Sequence, residues 1–290
     1  MNAHSSGIRD RMLAGLRTLP LAADDDAEIL VSWLEIQPEP ESPREADPTT
    51  WTVGLSSDGS RLTWYAAGLT EAFVPTIGEF LMEAGASGEE LEGMAAAGQH
   101  LEPTAAGSWV ELSAGGLDGG WFFPSPAPLA KARAYAPQHA VTAQLLDWAR
   151  RCSAQAAAQF RRSVTPGEEV SELLLPIPGR DRAQDLDLAK HALEMLGAPW
   201  FRTDVARALV DADDTSRLLV VGLNGAGLAR AGVLLTEPSP RAARALALLA
   251  AGTSPSALDR FEAALGVAGP QWVAAIQRPE GFSVELYYSP

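Results

Sequence analysis

The chain is poor in cysteine, lysine, tyrosine and positive charge. Its single cysteine, Cys152, allows no internal disulfide, so a packed core must hold the fold, and a reducing compartment suits it better than secretion. Lysine occurs only as Lys131 and Lys190, outside every strand candidate, so any cation carried by a strand is an arginine. With 22 Lys+Arg against 37 Asp+Glu the formal net charge is −15, which disfavours nucleic acid and anionic membranes, because both attract proteins through phosphate. No apolar run approaches the ~20 residues of a membrane-spanning helix, and the N-terminal MNAHSSGIRDRMLAGL lacks the continuous apolar stretch of a secretion signal. What is present is a 47% hydrophobic content, too high for disorder. The expectation is a soluble, globular, cytoplasmic protein forming one domain over residues 1–290.

Along the chain, strand and helix patterns alternate. EILVSWLEI (Glu28 to Ile36) is rich in β-formers and reads as a strand, followed by an acidic, proline-rich loop from Gln37 to Pro48. TWTVGLSS and RLTWYAAG flank Ser57-Asp58-Gly59-Ser60, whose Asp-Gly pair suits a tight hairpin turn. Helical stretches follow at Thr76 to Ala84 and Gly88 to Ala97, then SWVELSA and GWFF as two further strands. A helix is expected from about Pro137 to Arg162, because Val141, Leu145, Trp148, Cys152 and Phe160 recur at helical spacing. After it come SELLLPI, the helices DLDLAKHALEMLG and RTDVARALV, the strand pair RLLVVGL and LARAGVLLT, two more helices, and the closing pair QWVAAIQR and FSVELYY.

Two stretches, 28–130 and 168–290, match in order across the bridging helix. Val53-Gly54-Leu55 corresponds to Val221-Gly222-Leu223, Leu69-Thr70-Glu71 to Leu235-Thr236-Glu237, and Trp109-Val110 to Trp272-Val273. Phe122-Phe123 before Ser125-Pro126 corresponds to Tyr287-Tyr288-Ser289-Pro290. The reading is an α+β fold from a duplicated half, with about ten mostly antiparallel strands and helices between hairpins. Such a sheet can close into a barrel surrounded by helices, or form two ferredoxin-like sheets.

Side chains alternate across a strand, so each strand divides into two faces. Arg61, Thr63 and Tyr65 share one face; Arg230 and Thr236 share another; Ser283, Glu285 and Tyr287 a third; Trp109 and Glu111 a fourth; Trp33 and Glu35 a fifth. Trp272 and Arg278 join them because Trp272 matches Trp109. Helices pack on the apolar faces, so these polar and aromatic faces are left for a lumen, or for water if the sheet is open.

Hairpins of antiparallel strands separated by helices, at this length, resemble the aromatic prenyltransferases of the ABBA type. The C-terminal QWVAAIQRPEGFSVELYYSP is similar to the closing hairpin of the bacterial indole and cyanobactin branch, and RLLVVGLNGAGLARAGVLLTE is similar to the hairpin before it. The resemblance implies a closed barrel that transfers an allylic group from a prenyl diphosphate to an aromatic small molecule or peptide side chain, without cofactor or metal. It further implies Arg61, Arg217, Arg230 and Arg278 as diphosphate contacts, Tyr65 and Tyr287 as shields of the allylic cation, and Glu35 as the carboxylate beside the acceptor. Trp109, Trp272 and Glu285 complete the expected substrate-binding wall. The same barrel could instead bind an aromatic or peptide ligand, or act on it by another reaction.

Other features carry less. The four histidines have no recurrent metal spacing. Cys152 lies on an apolar helix stripe, GLNGAG (Gly222 to Gly227) joins two strands as a turn, and Asp24-Asp25-Asp26 reads as a solvated loop.

Overall fold

A computed structural model describes residues 3–19, 24–37, 50–83, 86–114, 116–154, 156–164, 169–179, 181–212, 216–250, 255–279 and 281–290. The acidic loop expected at 37–48 lies, beyond Gln37, outside these residues. The strands are β1 (Thr50–Ser56), β2 (Arg61–Leu69), β3 (Ala105–Ser113), β4 (Gly116–Phe123), β5 (Ala127–Pro128), β6 (Ala156–Ala157), β7 (Gln159–Ser163), β8 (Ser171–Pro176), β9 (Arg217–Asn224), β10 (Gly227–Thr236), β11 (Trp272–Arg278) and β12 (Gly281–Tyr288). The α-helices are α1 (Ala3–Leu16), α2 (Asp24–Ile36), α3 (Thr70–Glu83), α4 (Gly88–Leu101), α5 (Leu129–Ala132), α6 (Ala140–Arg151), α7 (Arg182–Met195), α8 (Thr203–Asp211), α9 (Pro240–Leu249) and α10 (Pro255–Leu265). Among the described residues no helix is long and apolar enough to cross a membrane.

All strands except the short β5–β6 pair form one closed barrel of ten antiparallel strands, in which each pairs with the barrel strand before and after it in the chain. Closure comes from β1 and β12, with Val53 opposite Tyr288 and Ser56 opposite Glu285. A closed sheet has no unpaired edge, so its backbone donors and acceptors are satisfied by the ladder itself. The turns follow local chemistry. Asp58 accepts from the Ser60 amide (3.0 Å) ahead of β2, with Gly59 at φ +69°, and Asn224 accepts from the Ala226 amide (3.0 Å) in the β9–β10 turn. GLNGAG is thus a hairpin.

Helices cover the outer face. Trp33 on α2 meets Trp51, Trp64 and Phe80 at ring-centroid distances of 5.9, 6.4 and 6.3 Å, and Leu145 and Trp148 of α6 are buried in the same outer core. The element order is therefore two helices then two strands, five times over. The stretch 28–130 runs from α2 into α5, and the stretch 168–290 holds β8 to β12.

Two elements differ from the sequence reading. Residues 28–36 belong to helix α2, not to a strand, because Leu30, Trp33, Leu34 and Gln37 are all buried, a helical spacing that lays one stripe on the barrel. The Asp24–Asp26 run opens this helix and is no loop. The expected helix from 137 to 162 ends at Arg151. Ser153 takes a left-handed φ of 61°, and Gln159–Ser163 pairs between β4 and β8 as the tenth barrel strand. The β-formers of 28–36 mimicked a strand, and the isolated Phe160 extended a helical period that had already stopped.

Trp33→Ala removes the ring at the centre of the α2–barrel contact and is expected to lower the unfolding free energy by about 3–5 kcal/mol in urea titration. A change under about 1 kcal/mol would mean that α2 does not pack where it is drawn.

Candidate active site

Inside the barrel, one end of the lumen holds a cavity of about 380 Å³, within the range of small-molecule sites. One part of its wall is aromatic, formed by Tyr65, Phe122, Trp272 and Tyr287; another is aliphatic, formed by Leu174, Leu218, Val220 and Leu234. The Tyr65 ring stands edge-on to Phe122 at 5.7 Å and lies 6.1 Å from Tyr287. Thr50, Thr52, Gln159 and Thr236 supply neutral polar groups. The charged side chains on this wall, among the described residues, are Arg161 and Glu172.

Beside the cavity, the charges form a belt of alternating sign. Arg161 lays its guanidinium on the Trp109 ring, 3.6 Å from the centroid, and donates to the Tyr65 hydroxyl at 2.6 Å. No carboxylate pairs with Arg161 among the described residues. Glu172, its neighbour in the β7–β8 register, is ion-paired with Arg230. Arg230 also lies 3.6 Å from Glu285, which is ion-paired with Arg278 and accepts from the Tyr287 hydroxyl at 2.6 Å. Thr63 donates to Glu111 at 3.0 Å, and Ser163 to Asp118 at 2.9 Å. By strand alternation the lumen thus holds, among the described residues, Arg61, Arg161, Arg230 and Arg278 against Glu111, Asp118, Glu172 and Glu285, four charges of each sign.

These pairings set the protonation states. Burial disfavours the charge of Glu285, yet Arg278, Arg230 and Arg61 outweigh it and hold the carboxyl well below the ordinary range. Burial also works against the charge of Arg230, but Glu172 and Glu285 keep it firmly cationic. Burial pushes the Tyr65 phenol up to about 12, and burial with Glu285 raises Tyr287 further. Both phenols stay neutral near pH 7, offering a ring face and a hydroxyl.

Eight of the residues expected at the site turn into the lumen. Tyr65, Trp272 and Tyr287 line the cavity; Trp109 lies beneath Arg161; Arg230, Arg278 and Glu285 belong to the belt, and Arg61 faces the same carboxylate. Two placements are corrected. Glu35 sits exposed on α2, outside the barrel, because its segment is a helix whose buried stripe excludes that position. Arg217 is buried on the outer face of β9, 3.7 Å from Asp185, and donates to the Leu209 and Ala212 carbonyls at the end of α8. Trp33 is likewise an outer-core residue. The sequence reading missed Arg161, Glu172 and Phe122. Glu172 and Phe122 lay in strands already recognised, as a lone charge among leucines and an aromatic on the trailing strand of a hairpin. Arg161 lay in the misread helix.

No family model matches the chain. A PH domain-containing protein of Dictyostelium discoideum is 25% identical over 97% of this chain, and the chain spans 63% of that protein's length. Among solved structures, the prenyltransferase PriB in apo form superposes with a TM-score of 0.67 over 100% of this chain and 96% of that one, at 14% identity. AnaPT from Neosartorya fischeri superposes with a TM-score of 0.68 over 99% of this chain and 94% of that one, at 9% identity. The chain therefore has the fold of the ABBA-type aromatic prenyltransferases, the helix-clad ten-strand prenyltransferase barrel, at wide sequence divergence.

Arg230→Ala leaves Glu172 without its ion-pair partner and Glu285 with Arg278 alone. It is expected to destabilise the protein by about 3–5 kcal/mol in chemical denaturation, and a neutral result would refute the pairing. Glu285 gives a pH signature. Its folded pKa lies below that of the unfolded chain, so its contribution is complete above the ordinary glutamate value of about 4.3 and is lost as pH falls below it. The acid loss of stability between about pH 6 and pH 3 should be smaller in Glu285→Gln than in the wild type; equal losses would contradict this.

Proposed function

We propose that the barrel transfers an allylic group from a short prenyl diphosphate to an electron-rich aromatic acceptor, a small molecule or a peptide side chain, in the cytoplasm. The observation that carries this reading is the aromatic wall of Tyr65, Phe122, Trp272 and Tyr287 meeting Arg161, a cation whose direct contacts are the Trp109 ring and the Tyr65 hydroxyl, within one cavity. PriB, which shares the fold, has been solved with L-tryptophan and dimethylallyl thiolodiphosphate. In the proposed reaction the donor's carbon–oxygen bond breaks and the leaving diphosphate lies against Arg161. The phenol and indole faces stabilise the allylic cation by their negative π-surfaces, in a cavity walled off by the closed sheet. The acceptor ring attacks, a carbon–carbon bond forms, and the ring returns to aromaticity by giving its proton to Glu172. That residue takes the part first expected of Glu35 and is the cavity-lining carboxylate.

A second reading rests on the balanced belt. Arg230 and Arg278 are already held by Glu172 and Glu285, and a diphosphate of about three negative charges calls for more than one cation in such a site. This favours a barrel that binds an aromatic or peptide ligand without ionising a donor. Calorimetry with dimethylallyl and geranyl thiolodiphosphates separates the two. The first reading expects saturable heat with at least one of them, weakened about tenfold to a hundredfold by Arg161→Ala, consistent with loss of a charge-assisted contact. It also expects a prenylated product by mass spectrometry when dimethylallyl diphosphate is mixed with indole or phenol acceptors. No heat from either diphosphate leaves the binding protein.

A further inference from the structure

The lumen contacts share a geometric device. Neighbouring strands are about 4.8 Å apart, so side chains two strands apart start ~10 Å from each other and cross most directly where the strand between them presents nothing. At four places that middle strand presents an inward glycine. Phe122 on β4 reaches Tyr65 on β2 across Gly107 of β3. Trp109 on β3 reaches Arg161 on β7 across Gly120 of β4. Tyr287 on β12 approaches Tyr65 on β2 across Gly54 of β1. Arg230 on β10 reaches Glu172 on β8 across Gly222 of β9. In every case the glycine is the register partner of the side chain that lies over it.

The four are not equivalent. A Cβ at Gly107 would fall 2.4 Å from the Ala66 carbonyl oxygen, and one at Gly120 would fall 2.0 Å from the Arg162 carbonyl oxygen, so these two glycines are demanded by the backbone. At Gly54 the nearest atoms are instead those of the Tyr287 ring at 3.2 and 3.3 Å; at Gly222 the nearest is Cγ of Arg230 at 2.8 Å. A methyl there is opposed chiefly by the crossing side chain.

We propose that Gly54 and Gly222 are positioning residues: Gly54 seats the Tyr287 ring in the aromatic wall, and Gly222 seats Arg230 so that it spans β9 to Glu172. A methyl at Gly54 lifts the ring towards the cavity while its hydroxyl remains tethered to Glu285. A methyl at Gly222 pushes the guanidinium stem off the β9 wall and opens the Arg230–Glu172 pair, leaving Glu172 with uncompensated charge. The consequence reaches the cavity through both its aromatic wall and its carboxylate, although neither glycine lines it. This inference concerns how the lumen is assembled and stands apart from the identity of the donor.

The test is to determine crystal structures of Gly54→Ala and Gly222→Ala, with Gly225→Ala in the β9–β10 turn as control, since a Cβ there meets nothing within 4 Å. The expected result is an unchanged barrel register in all three, a displaced Tyr287 ring in the first, an Arg230–Glu172 separation beyond 4 Å in the second, and neither change in the control. Rings and guanidinium left in their wild-type places would overturn the proposal. If Gly54→Ala does not fold, Gly54→Ala/Tyr287→Ala is expected to fold and melt near the temperature of Tyr287→Ala alone, because the methyl then has room; failure of the double variant also overturns it. A wild-type protein that binds no prenyl thiolodiphosphate counts against the function proposed above and leaves these crystallographic outcomes to decide the matter here.

Discussion

A guanidinium enclosed in a barrel cannot rely on bulk water, so it must be neutralised by a carboxylate or stacked on an aromatic face. The rest of the lumen follows from that requirement. Arg230 is held between Glu172 and Glu285, Arg278 shares Glu285, and Arg161 rests on Trp109 with the Tyr65 hydroxyl as acceptor. Glu172, Arg230, Glu285 and Arg278 thereby become one linked run of ion pairs. Arg161, held by a π-face and a neutral hydroxyl, is among the described residues the cation that lines the cavity.

Closure of the sheet gives these charges their surroundings. Because β1 pairs with β12, every strand has an inner face shielded by the other nine, and the helices need only cover the outside. Two cores result: a large outer one, in which Trp33, Trp64 and Trp148 pack between helices and barrel, and small lumen clusters around Tyr65 and around Val220. The outer core supplies the bulk of buried apolar area, freeing the lumen to hold polar groups and an unfilled cavity. The same division separates two buried arginines by job: Arg217, outside, ties β9 to α8 and α7, whereas Arg230, inside, joins the belt.

The inner faces of β2, β3 and β12 were legible from alternation alone, because Arg61-Thr63-Tyr65 and Ser283-Glu285-Tyr287 keep a strict period of two between clear turns; that of β11 needed the match of Trp272 to Trp109. Two failures had a common physical source. In 28–36 the residues Ile29, Val31 and Trp33 are as much at home in a strand as in a helix, and only the stripe buried on the barrel chose the helix. In Gln159–Ser163 the five residues are too few to show a period, and pairing with β4 and β8 made the strand. Losing one false strand and gaining one unseen strand left the count at ten, took Glu35 out of the lumen and put Arg161 into it.

What the sequence by itself determined was the alternation of hairpins and helix pairs, the turn positions at Asp58-Gly59 and Asn224-Gly227, and which residues of a recognised strand share a face. These depend on neighbours a few positions away, through φ preferences and the two-residue period. The tertiary structure alone decided that β1 meets β12, that Arg217 faces outward although it lies on a recognised strand, and that Arg161, Glu172 and Arg230 stand in one belt. Those facts arise from contacts between elements far apart in the chain, and no local pattern encodes which distant side chain will meet which.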